Sequence, residues 1–292
     1  METNLAIEDD EASAFLPVQK LTKDLKLAAT TLTLDEARFL VDGYYMMQSQ
    51  RIRAANQVRS LSESAEPTAV LSWFFGQNRV LEGSVRAALD SFSNSKPLGR
   101  WARSICGIGP VISAGLLAHL DVTKPTVGHL WRFAGLDPTV TWGKGQKRPW
   151  NASLKTLCWK IGESFVKVKS RESDVYGAMY ETYKKRIEAE NLDHKFTDAA
   201  AVGAARVGKT TEAHKHYVQG FLPPGHIHAR AKRFAVKMFL SHYFAVGHFI
   251  EMGRVPPLPY PIAILGHAHL VGPPNMELVP GMKEAWDSQS KR

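Results

Sequence analysis

Between Trp101 and Leu120 an apolar pattern of helical period stops at Gly107-Ile108-Gly109-Pro110 and then resumes. Trp101, Ile105 and Ile108 lie before or within the break, and Val111, Ile112, Leu116 and Leu117 follow it. The spacing predicts two short helices joined by a glycine turn, a helix-hairpin-helix. Both glycines are expected to take positive φ and bring bare amides towards a partner, with Pro110 in the first turn of the second helix, where proline is tolerated. Unpaired amides and the positive end of a helix favour a phosphate, and a turn with few side chains reads little base information. Gly107, Ile108 and Gly109 are therefore the first candidate DNA-backbone contacts, against the alternative of an ordinary αα turn.

The flanking segments extend the helical reading. Residues 1–30 open with five acids by Glu11 and lack periodicity, as expected of a flexible acidic arm. Thr33 with Glu36 forms a capping box before a long helix to about Ser60, and Pro67 opens a second helix running to about Lys96. Residues 31–96 thus predict a helical hairpin whose aromatic and Met face is core or a homodimer seam. The hairpin domain is placed at 97–192, with a short helix over 126–134, an Asn151-capped helix and another over about 173–189. A linker and a basic helix over 227–252 fill 193–254. Seven of the sixteen prolines fall at 256–280, so 255–292 is expected to be an extended tail. The fold class is mainly α, with β structure expected at most as a hairpin over 139–150.

Charge narrows the partners. The chain of 292 residues carries a formal net charge of +9, which suits a polyanion. Between residues 139 and 170 stand Lys144, Lys147, Arg148, Lys155, Lys160, Lys167 and Lys169 against the single acid Glu163. Trp142 and Trp150 are interleaved with these cations, a combination that stacks bases or sugars while neutralising phosphates. A solvated basic loop pinned by two tryptophans is the alternative. Arg230 and Arg233, on the basic face of the last long helix, are a second candidate contact. Two cysteines exclude a disulfide scaffold and a four-cysteine zinc site, and fit a cytoplasmic setting. No apolar run reaches membrane-spanning length.

Two patterns invite chemistry that their surroundings do not support. Residues 203–210, GAARVGKT, match the phosphate-loop pattern, but no buried strand precedes them and a polar segment follows. His214, His216, His226, His228, His267 and His269 come in pairs, with His242 and His248 between them, yet between residues 213 and 276 the only acid is Glu251. They read better as hydrogen-bonded structural groups than as metal ligands.

An ordered set of motifs resembles the C-terminal transposase domain of the "one-ten/one-sixteen" insertion-sequence family. It runs from Cys106-Gly107-Ile108-Gly109-Pro110 through Trp131-Arg132-Phe133-Ala134-Gly135-Leu136-Asp137-Pro138 and the Gly143-Lys144 loop. It continues with Asn151-Ala152-Ser153-Leu154-Lys155 and ends at Tyr176-Gly177-Ala178-Met179-Tyr180. The resemblance covers roughly residues 100–190 and implies DNA handling in recombination. In that family an RNase-H-like domain with four acids precedes this one, a serine acts as nucleophile and a structured RNA guides the reaction. Residues 1–97 here lack the alternating β pattern and its acids, and Trp142-Gly143 stands where the family has Ser-Gly. The nearest hydroxyls, Thr139, Thr141 and Ser153, lack a recognisable base.

DNA binding is therefore carried over and catalysis is not; no catalytic residue is assigned. The expected function is a nucleic-acid-binding protein of a mobile element or phage, holding phosphates of duplex or branched DNA, with structured RNA as an alternative ligand. Two rivals remain: a recombinase or nuclease that would use Mg, with a metal site at the late histidines, and a structural protein dimerising through 33–92.

Overall fold

The computed structural model describes residues 19–62, 69–257 and 271–290. Among them the chain is helical, with no strand, and the mainly α reading holds. It divides into two compact units, Met1–Phe92 and Ser93–Arg292.

In the first unit, α1 (Lys23–Ala28) is capped by Thr22, whose hydroxyl accepts from the Leu25 amide. A helix therefore occupies part of what the sequence presents as an acidic arm. The capping box closes α2 (Leu34–Ser62): the Glu36 amide donates to Thr33 Oγ1 at 3.2 Å, and the Thr33 amide donates to Glu36 Oε2 at 2.7 Å. α2 turns Ala37, Val41, Tyr44 and Ala54 inward, and α3 (Ala69–Ser95) turns in Val85, Ala88, Leu89 and Phe92. The two helices are tied by an ion pair from Arg51 to the buried carboxylate of Glu82. Leu21 reaches α3 through its amide, which donates to Ser84 Oγ at 3.3 Å.

The second unit is built around a 29-residue helix, α11 (Pro224–Met252). Packed against it or beside it are α4 (Pro97–Ser104), α5 (Pro110–His119), α6 (Val127–Phe133), α7 (Ala152–Val168) and α8 (Tyr176–Leu192). Phe239 of α11 sits at the centre, with ring centroids 5.3 Å from Tyr176, 5.5 Å from Phe165 and 6.3 Å from Trp101. Such rings remove a large apolar area from water and lock one another in orientation. Gly253, at φ 67°, ends α11, and its amide donates to Phe249 O at 2.9 Å.

Two sequence expectations change here. The stretch read as a linker contains α9 (Thr197–Ala204) and α10 (Glu212–Val218), which close a small core of Ile187, Ala200, Tyr217, Leu222 and Ile227. The tail ends not as an extended wrap but as a 3-10 turn at Met276–Leu278 and a helix, α12 (Met282–Ser290). Trp101 Nε1 donates to Pro274 O at 2.8 Å and Asn275 Nδ2 donates to Ser104 Oγ at 2.8 Å, which fasten the tail to α4. Residues 258–270 of the tail lie outside the described residues. No helix among the described residues is long and apolar enough to cross a membrane.

Candidate nucleic-acid interface

The helix-hairpin-helix forms as α4, the turn 105–109 and α5. Of its glycines only Gly107 has positive φ, at 90°; Gly109 is extended at φ −88°, ψ 177°. The two do different work. Gly107 faces inward: a Cβ there would lie 3.1 Å from Ser164 Oγ and 3.2 Å from Val168 Cγ2, and Ser164 Oγ donates to its carbonyl at 2.6 Å. Ile108 is buried and anchors the turn. Gly109 is the open member, with nothing within 4 Å of a Cβ. The first-turn amides of Val111 and Ile112 have no acceptor within α5, so an anion at this hairpin would meet only Gly109 and that turn.

Along α7, Lys160 and Lys167 stand four residues before and three after Ser164, on the face that receives the turn. Lys160 is held below the ordinary lysine value by burial first and by Lys167 second.

At the other end of α7 the 139–150 segment forms turns rather than a β-hairpin. Trp142 Nε1 donates to Gln146 O at 2.8 Å, the Gly143 amide donates to Gln146 Oε1 at 3.1 Å, and Gly145 turns the chain at φ 86°. The cations lie on the tryptophans. Arg148 is 5.3 Å from the Trp142 ring centroid and Lys155 is 4.0 Å from that of Trp150, and the two rings meet edge to face at 6.0 Å. A cation over an indole face is attracted by the ring quadrupole without losing its charge. Gly135, at φ 66°, makes room: a Cβ there would come within 2.9 Å of both Trp150 and Lys155. Asn151 Oδ1 caps α7 by accepting from the Leu154 amide at 2.9 Å, and the Asn151 amide donates to Phe133 O at 2.9 Å.

α11 approaches this cluster through Lys237, on the basic face that the sequence gives this helix. Lys237 lies 4.2 Å from the Trp131 ring centroid, and Trp131 Nε1 donates to Lys237 O at 3.2 Å. Asp137 is the nearby acid. Its carboxyl is held below the usual range by hydrogen bonds from Thr139, with Lys237 and Arg132 adding to the effect. Thr139 therefore closes an Asx turn, and a carboxylate so stabilised is a weak base for activating its hydroxyl. Further along α11, Arg230 lies 4.8 Å over Phe196, while Arg233 is lowered by burial and by Arg230. Lys237 stands four residues after Arg233 on that basic face; what the sequence does not show is its contact with Trp131.

The remaining motifs resolve into packing. Gly203, the first residue of the phosphate-loop match, lies in α9, and a Cβ there would come within 2.5 Å of the Tyr217 ring. Three histidines meet tyrosines, His242 with Tyr176 at 2.7 Å, His228 with Tyr180 at 2.7 Å and His226 with Tyr217 at 2.9 Å, while His248 meets Val122 O at 2.9 Å. Among the described residues no group of three or more His, Cys, Asp or Glu is placed to hold a metal; His267 and His269 lie outside them. Burial pushes the Cys158 thiol up to about 12, which leaves it unreactive. No family model, curated protein or solved structure matches the chain.

Proposed function

We propose that the protein binds nucleic acid through the second unit, holding phosphates of duplex or branched DNA in the recombination of a mobile element or phage. The observation that carries this reading is charge left uncompensated on an ordered scaffold. Lys144, Lys147, Arg148 and Lys155 are exposed and form no ion pair among the described residues, while the two tryptophans hold the last two in place. The family resemblance points the same way, and so does the open backbone at Gly109. Asp137, held as a weak base by Thr139, gives the hydroxyls of the loop no strong general base, which favours a clamp over a nuclease. Titration of duplex, four-way-junction and structured-RNA ligands at increasing salt tests it. Affinity should fall steeply as counterions are released, and salt-insensitive or absent binding overturns it.

A second reading, for the first unit, is self-association. Phe39 and Met46 on α2 and Val70 and Trp73 on α3 are more than half exposed. α2 carries Asp35, Glu36 and Asp42 near its start and Arg53 and Arg59 near its end. A two-fold antiparallel pairing of α2 with its copy places acids opposite arginines. Light scattering should give a dimer for the wild type and a monomer for Phe39→Asp/Met46→Asp; a wild-type monomer at all concentrations sinks this reading.

A further inference from the structure

The cations of the second unit form a connected line rather than a patch. The 139–150 loop is joined to α6 through Gly135, and α6 is joined to α11 through the stacking of Trp131 on Lys237. From Lys237 the line continues along one face of α11 by helical spacing to Arg233 and Arg230, at steps of four and three residues. At about 1.5 Å per residue this adds roughly 10 Å of track. Several of its cations rest on rings: Arg148 on Trp142, Lys155 on Trp150, Lys237 on Trp131 and Arg230 on Phe196. Asp137 lies near Lys237 along it, and Glu163 pairs with Lys232 beside Trp159.

Exposed rings beside this line separate two kinds of nucleic acid. Phe133 is 44% exposed, Trp142 41% and Trp159, one turn beyond Lys155, 60%. In a duplex each base face is covered by its neighbours, so a flat ring outside the helix meets only sugar and phosphate. In a single strand the base faces are available, and stacking on aromatic side chains supplies affinity without reading sequence. We propose that the second unit takes a single strand, its phosphates led from the loop along α11 by Lys237, Arg233 and Arg230, with unpaired bases stacking on Trp142. This rests on the nucleic-acid reading above and names the ligand of the same surface.

The test uses the full chain with an oligothymidine of about 16 nucleotides, the length of a larger single-strand site, and a duplex of equal length at the same salt. The single strand should bind at least about tenfold tighter. Trp142→Ala should weaken strand binding by about tenfold and duplex binding by markedly less, since the duplex loses only the seat of Arg148 and no stacked base. Trp142→Phe, which keeps a ring but loses the hydrogen bond to Gln146, should retain most of the affinity. Arg230→Ala/Arg233→Ala should reduce the salt slope for the strand by about 1.4, two contacts at about 0.7 each. Preference for the duplex, or an equal loss for both ligands in Trp142→Ala, overturns the single-strand inference and leaves the phosphate clamp standing. Binding to neither ligand overturns both.

Discussion

Alanine at Lys144, Lys147, Arg148 and Lys155 together is expected to flatten the salt dependence of duplex binding by about 3.6 in slope. Each phosphate contact contributes about 0.9 to that slope, because each releases condensed counterions. Over a fourfold rise in salt, a difference of that size amounts to about a hundredfold in affinity. The wild type should weaken by this much more than the variant. Folding is not expected to suffer comparably. None of the four forms an ion pair among the described residues, and the two cation–ring contacts on Trp142 and Trp150 are exposed and worth about 0.5–1 kcal/mol each. Thermal melts of both proteins separate lost binding from lost structure. An unchanged slope in a folded variant places the phosphate contacts elsewhere, with the turn at Gly109 and the cations of α11 as the surfaces left to examine.

Local signals in the sequence carried far. Thr33 and Glu36 close the capping box that their spacing announces, and Asn151 caps α7. Gly107 to Pro110 makes the turn between α4 and α5. These features depend on backbone geometry and neighbours within one helical turn, so they are written locally. What escaped depends on partners distant in sequence. Gly107 and Gly109 look alike in the chain, but only the former packs on Ser164 and Val168, from a helix more than 50 residues away. The histidines read as hydrogen-bonded groups, but the partners of His226, His228 and His242, tyrosines of α8 and α10, are not written beside them. The proline-rich tail reads as extended, but its tie to α4 is a hydrogen bond between Trp101 and Pro274 across 173 positions. At the interface the basic loop and its tryptophans were legible, whereas Trp131 with Lys237 was not, because it joins α6 to α11.

The buried histidine of the core makes stability depend on pH. His242 is 2% exposed and its pKa is lowered to about 4, by burial against a smaller opposing contribution from its hydrogen bond to Val271 O. Both ring nitrogens are committed in the neutral form. Nε2–H donates to Val271 O at 2.9 Å, which leaves Nδ1 to accept from the Tyr176 hydroxyl at 2.7 Å. Protonation puts a second donor against that hydroxyl and a charge among Phe239, Tyr176 and Tyr243. The unfolded chain has no such obstacle and takes up its proton near pH 6.5. The stabilisation is thus complete above about pH 6.5 and is lost as pH falls towards 4, by about 3 kcal/mol at about 1.4 kcal/mol per pH unit. His226 and His228 are also lowered, each chiefly by burial, and act in the same direction. Urea unfolding at pH 7 and pH 4.5 should show this loss for the wild type. His242→Gln should be less stable at pH 7 and lose less of its stability on acidification. An equal loss in the variant would move the acid sensitivity to other groups, because a neutral amide at position 242 takes up no proton in either state.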